Sequence, residues 1–135
     1  MKPAIVTIST IAALALAAAG CSSSEERKTF TTRGQAVTSM ALVSPNGQDC
    51  GRLRAKDEVR VTDGSGGLIS LATLGKPAAK DSVMSGGRML VECTFTFTLK
   101  DVPAGERFYG VTIGGAEVKT YSEDEIRKGV YYFPK

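Results

Sequence analysis

Three cysteines offer the most chemistry in this 135-residue chain, and their surroundings give them two different jobs. Cys21 ends a small-residue tract, Ala17-Ala18-Ala19-Gly20, whereas Cys50 and Cys93 lie far downstream in polar and alternating segments. Histidine and tryptophan are absent. Without histidine the chain lacks the commonest general base and the commonest metal ligand, so a serine triad has no base. Two cysteines alone do not complete a tetrahedral metal site.

The other candidates are weaker. Asp63-Gly64-Ser65-Gly66-Gly67 has loop glycines. It lacks the helix and lysine of a phosphate loop and the alternating carboxylates of a calcium loop, so it reads as a hairpin turn. Glu123-Asp124-Glu125 is the one acidic cluster weighed for acid–base work, which needs surroundings that split the carboxyl pKa values. At a helix start these carboxylates read as solvated and dipole-stabilised. Lys80 with Ser82 or Ser85 would form a Ser–Lys pair, but no motif surrounds them. Tyr109, Tyr121, Tyr131, Tyr132 and Phe133 read either as a ligand groove or, more simply, as core and rim. No catalytic, cofactor-binding or metal-binding residue is assigned, and no cofactor is expected.

The formal charge of +3 comes from 17 basic and 14 acidic residues, one of them Lys2 near the N-terminus. Signs alternate in Glu25-Glu26-Arg27-Lys28 and again from Arg52 to Glu58. Such mixing is a solvated surface and not the electrostatic footprint of a nucleic-acid binder.

Met1-Lys2 gives a positive start, and Ala4 to Ala19 carries no charge. A positive start, an apolar stretch and a small-residue cleavage site make a secretory signal peptide over residues 1–20. Ala18-Ala19-Gly20-Cys21 resembles the lipobox of bacterial lipoproteins, with Ala18 where that family usually has leucine. The resemblance implies a lipid on the Cys21 thiol and cleavage just before it. Two readings compete. One is an uncleaved anchor, although about 17 apolar residues is the lower limit for spanning a bilayer. The other is plain secretion, which leaves Cys21 as a bare thiol. With two or three acyl chains, at about 0.8 kcal/mol per buried methylene, anchoring to the extracytoplasmic side of the cell membrane would be effectively permanent. Residues 21–28, polar and charged, form a flexible tether to a domain at 29–135.

Export sets an oxidising compartment, where cysteines pair. With Cys21 lipidated, Cys50 and Cys93 have only each other, and the alternative is two buried thiols. Their bridge closes a loop of about 43 residues, worth about 4 kcal/mol in the chain-entropy account.

The elements that must carry these residues are strands. Thr29 to Val43 reads as a first strand, broken at Gly34, and Ser44 to Asp49 as a turn. Glu58 to Thr62 and Leu68 to Leu74 flank the glycine-rich turn as a hairpin. Gly75 to Gly87 reads as a surface loop. From Met89 to Leu99, Val91, Cys93, Phe95, Phe97 and Leu99 share one face and Glu92, Thr94, Thr96 and Thr98 the other. Asp101 to Glu106 reads as a turn, and Phe108 to Ile113 and Ala116 to Tyr121 as strands. Ser122 with Glu125 makes a capping box for a helical turn near 123–128, ended by Gly129 before a last strand, Val130 to Phe133. Six to eight short strands predict an all-β, immunoglobulin-like sandwich, with a small barrel as the alternative.

Cys93-Thr94-Phe95-Thr96-Phe97, Asp101-Val102-Pro103-Ala104-Gly105, Phe108-Tyr109-Gly110-Val111 and Tyr121 to Ile126, with Cys50-Gly51 and Val59 to Asp63 upstream, are similar to a group of uncharacterised secreted β-sandwich domains of Gram-positive bacteria. The similarity spans most of the last 90 or so residues and implies the fold and the disulfide, without an activity.

These observations point to a non-enzymatic envelope lipoprotein that binds or scaffolds a protein or an envelope polymer. An accessory subunit docking onto a membrane protein, or a hydrolase using carboxylates or the Ser–Lys pair, is the alternative. An exposed apolar patch well above ~400 Å² would favour docking, and a pocket with converging carboxylates would favour the hydrolase. Intact-mass spectrometry of the native product is expected to find a chain beginning at an acylated Cys21 that gains two hydrogens on reduction. A product that retains Met1 with a bare Cys21 thiol removes the anchor, and an unchanged mass on reduction removes the bridge.

Overall fold

The computed structural model describes residues 27–41 and 49–135. The signal peptide, Cys21, the tether up to residue 26 and the turn read at Ser44 to Asp49, except Asp49 itself, lie outside the described residues.

Ten strands and one helix follow in order: β1 (Thr29–Ala41), β2 (Asp49–Cys50), β3 (Leu53–Arg54), β4 (Glu58–Thr62), β5 (Leu68–Thr73), β6 (Ala78–Ser85), β7 (Arg88–Pro103), β8 (Tyr109–Ile113), β9 (Lys119–Tyr121), α1 (Glu123–Lys128) and β10 (Val130–Tyr132). Eight of the strands form two four-stranded sheets, ordered β10-β1-β7-β6 and β5-β4-β8-β9, and β2 with β3 makes a small hairpin. The sheets do not close into a barrel, so the fold is an all-β sandwich. With β1 in the place of strand B, the two orders reproduce the A-B-E-D and C′-C-F-G sheets of an immunoglobulin sandwich. The A position is filled from the other end of the chain: β10 lies parallel to β1, with Gly34 opposite Val130 and Ala36 opposite Tyr132.

Strict alternation on β7 builds the core. Val91, Cys93, Phe95, Phe97 and Leu99 are buried, while Thr96 and Thr98 between them are exposed. Val59 and Val61 of β4 and Tyr109, Val111 and Ile113 of β8 meet them from the second sheet. Ile126 of α1 and Val130 and Tyr132 of β10 complete the same cluster.

Two expectations are corrected. β1 is not broken at Gly34, which lies in register with Phe97. A Cβ there would sit 2.1 Å from Phe97 Cζ, so the phenyl ring occupies the space that any side chain at residue 34 would need. The glycine marks a close approach rather than a strand end. The segment read as a loop from Gly75 to Gly87 contains β6, which pairs antiparallel with β7. It sits at a sheet edge with Ala78, Ala79 and Lys80 exposed, so it carries no alternation to read.

The chain changes sheets between two neighbouring residues. The Leu74 N–H donates to the Asp57 carbonyl at 2.9 Å beside β4, and the Gly75 N–H donates to the Thr96 carbonyl at 2.8 Å on β7. β7 also runs into the expected turn as far as Pro103, with Asp101 at positive φ and a register shift between Phe30 and Thr32 on β1.

Helix α1 forms as its sequence dictates. The Glu125 N–H donates to Ser122 Oγ, the Ser122 N–H donates to the Glu125 carboxylate, and Gly129 caps the other end.

Gly34→Ala is expected to cost about 1–3 kcal/mol, because the new methyl overpacks the ring. Urea denaturation of Gly34→Ala, Phe97→Leu and the double variant tests the cause. The double variant is expected to lose less than the sum of the two, and strict additivity would assign the cost elsewhere.

Candidate functional site

Cys50 and Cys93 form a disulfide with a Cα–Cα distance of 6.3 Å, and both are fully buried. Cys93 lies on β7 in register with Thr38 of β1 and Ala79 of β6. Cys50 lies on the two-residue strand β2. Strands that short have little ladder of their own. The bridge holds the β2–β3 hairpin to the first sheet, and Thr38 Oγ1 donates to Cys50 Sγ at 3.7 Å.

The acidic residues weighed from sequence are braces. Asp63 Oδ1 accepts from the Ser65 hydroxyl at 2.7 Å, the Ser65 N–H at 2.9 Å and the Gly67 N–H at 2.9 Å. The Ser65 hydroxyl and these amides hold its carboxyl below the usual pKa, so the loop serves its own hairpin.

Glu123 accepts from the Gly105 N–H at 2.8 Å and pairs with Arg127 at 2.7 Å. Those contacts, led by the Gly105 amide, lower its pKa. Glu125 is lowered by the Ser122 amide and hydroxyl of the capping box. A general acid needs the opposite shift.

The Arg127 guanidinium also lies 4.2 Å from the centroid of Phe30, which meets Tyr109 edge-on at 6.0 Å. Tyr109 donates its hydroxyl to the Pro103 carbonyl at 2.8 Å and accepts from the Glu106 N–H. This is the tyrosine corner of immunoglobulin-type sandwiches, at the turn from β7 into β8. Burial pushes the Tyr109 phenol above its ordinary pKa.

Of the remaining aromatics, Tyr132 is fully buried, Tyr121 is half-buried, and Tyr131 and Phe133 are 62% and 49% exposed. Lys80 is exposed, and the side chains of Ser82 and Ser85 lie outside the description.

The structure brings together residues that the sequence reading did not single out. A groove of about 700 Å³ crosses the outer face of the first sheet. The β1–β7 register sets Arg33 beside Thr98 and Gln35 beside Thr96, and the β1–β10 register sets Tyr131 beside Gln35. All five are exposed, whereas their neighbours Gly34, Phe97 and Val130 are buried. One wall is the end of α1 with Lys128, and the other is Thr73 to Gly75, where the chain changes sheets.

The lining is therefore hydroxyls, one amide, one phenol and two cations, with no carboxylate. Among the described residues no acidic side chain pairs with Arg33; Lys128 is close enough to Glu125 to help lower that carboxyl's pKa. The TxTxT spacing in β7 was visible in the sequence, but its neighbours Arg33 and Gln35 emerge only from the pairing register.

Compared with protein-family models, with curated proteins and with solved structures, the chain finds no match. Among the described residues no helix is long and apolar enough to cross a membrane.

The three lowered carboxylates give the acid side of the stability curve its sign. A folded pKa below the unfolded one adds stability that is present above the unfolded value, about 4, and lost as pH falls through the folded value. Thermal melts are expected to hold from neutral pH to about 5 and to fall below about 4. Asp63→Asn, Glu123→Gln and Glu125→Gln combined should lower the neutral-pH Tm and flatten the acid limb. An acid limb as steep as that of the parent would assign it to other carboxylates.

Proposed function

We propose that this chain is a lipid-anchored protein of the bacterial cell envelope whose sandwich is a non-enzymatic binding module. The observation that carries the binding reading is the polar, carboxylate-free groove across the outer face of the first sheet. Sheet faces in compact sandwiches hold a fixed lattice of side chains, a rigid scaffold suited to recognition. The placement comes from the lipobox-like Ala18-Ala19-Gly20-Cys21 that ends a signal peptide. The carboxylate form of the hydrolase alternative is disfavoured because Glu123 is tied to the Gly105 corner and Glu125 to the helix cap, and neither lines the groove.

A second reading, docking onto a membrane protein, draws on the other sheet. Leu68 and Leu71 are exposed there, with Phe108 just before β8 and Val118 just before β9. Leu71 stands opposite Arg60, and Leu68 opposite Thr62.

Fractionation of cells carrying the parent or Cys21→Ala tests the placement. The parent is expected in the membrane fraction and the variant in the soluble extracytoplasmic fraction. Retention of the variant in the membrane overturns lipid anchoring.

A further inference from the structure

The groove floor has a composition that selects among ligands. Along β1 the outward positions run Thr31, Arg33, Gln35, and along β7 they run Thr94, Thr96, Thr98, Lys100. Outward neighbours on one strand stand about 7 Å apart and facing residues on paired strands about 5 Å apart. The face is thus a lattice of hydroxyls, and Arg33 and Lys128 are the cations that line the groove. β7 carries two carboxylates, Glu92, which faces Lys80 of β6, and Asp101, exposed next to Lys100, and neither lines the groove.

Hydroxyls and an amide donate and accept, so they match a ligand rich in hydroxyls. The Arg33 fork matches a planar or tetrahedral oxyanion bidentately, and Lys128 supplies a point charge beside it. Tyr131, exposed at the groove rim, offers an aromatic face for a sugar or polyol carbon face. Three strands and two walls make the groove a trough rather than a closed pocket, which suits a chain passing through it more than a small molecule enclosed on all sides.

We propose that the groove binds an extended, polyhydroxylated polyanion, a glycan or polyol chain bearing phosphate or carboxylate groups. Arg33 and Lys128 hold the anion, Thr96, Thr98 and Gln35 hold the hydroxyls, and Tyr131 stacks. The proposal deepens the binding reading above and uses the envelope placement only for where such polymers are met.

The test uses the mature chain with Cys21→Ala, which alters none of the described residues. Titrations followed by calorimetry and amide NMR use four probes: poly(glycerol phosphate), polygalacturonate, neutral dextran and phosphatidylglycerol vesicles. Saturable binding to one or both anionic polymers is expected, with shifts confined to β1, β7, β10 and the end of α1. The two polymers distinguish phosphate from carboxylate as the anion.

Arg33→Gln with Lys128→Gln is expected to weaken binding about tenfold or more, as loss of charge-assisted hydrogen bonds implies. Thr96→Val with Thr98→Val is expected to weaken it several-fold at unchanged charge. Arg60→Gln with Arg107→Gln, which removes the same charge elsewhere on the domain, is expected to leave it intact. Melting curves confirm that each variant is folded.

Equal loss from the two charge pairs, no loss from the threonine pair, binding to dextran as tight as to the polyanions, or binding to vesicles alone would each overturn the proposal. None of these results moves the Cys21→Ala fractionation, so this failure and a failure of envelope placement are distinguishable.

Discussion

The β1–β7 ladder is the constraint on which the rest of the structure depends. Antiparallel pairing in one register from Thr32 opposite Leu99 to Thr38 opposite Cys93, bounded by a shift at either end, fixes the facing of both long strands at once. Because side chains alternate with a period of two, one register decides everything that lies on either face. Inward, it stacks Phe95, Phe97 and Leu99 into the core and lets the Phe97 ring fill the space over Gly34. Outward, it sets Arg33 and Gln35 beside Thr98 and Thr96. A slip of β1 by one residue would drive the bare glycine outward and bury Arg33, while the threonines of β7 kept their facing. The groove and the core are two readouts of a single alignment.

Tertiary polar contacts then fasten the smaller elements to that ladder. The hydroxyl of Thr32, buried on β1, donates to the Ile126 carbonyl at 2.6 Å and ties α1 to the sheet beneath it. The Tyr121 hydroxyl donates to the Tyr131 carbonyl at 2.7 Å, joining edge strands of opposite sheets. Lys119 reaches the Phe133 carbonyl and lies over the rings of Tyr132 and Phe133. Among the described residues no buried side-chain nitrogen or oxygen lacks a partner. Buried polar groups satisfied this fully favour one packing over its near alternatives.

Where local chemistry decides structure, the sequence was legible. The alternation on β7, the Asp63 hairpin and the Ser122–Glu125 capping box formed as their residues dictate, and Cys50 found Cys93. Where a partner strand decides, it was not. The sequence of β6 shows no clean apolar–polar alternation, and its ladder comes from the backbone of β7. Gly34 carries a breaker's signal in isolation and a packing role only once Phe97 is opposite. The tyrosine corner has the same character, since Tyr109 reads as an ordinary inward aromatic until the chain bends back at Pro103. The groove was the least visible feature, because its residues belong to three strands, a helix end and a sheet crossover that sequence distance keeps apart.

The placement of β10 has a consequence for how the molecule comes to be made. β1 is threaded among the first elements, yet the strand that covers its outer edge is the last in chain order. Until Val130 to Tyr132 arrive, that edge offers unpaired amides and carbonyls to any strand nearby, the usual opening for misassembly. Emergence of the chain and completion of the sheet are therefore coupled in time. Val130 to Tyr132 work as a clasp, and a chain without them would keep most of its core and still present an adhesive border.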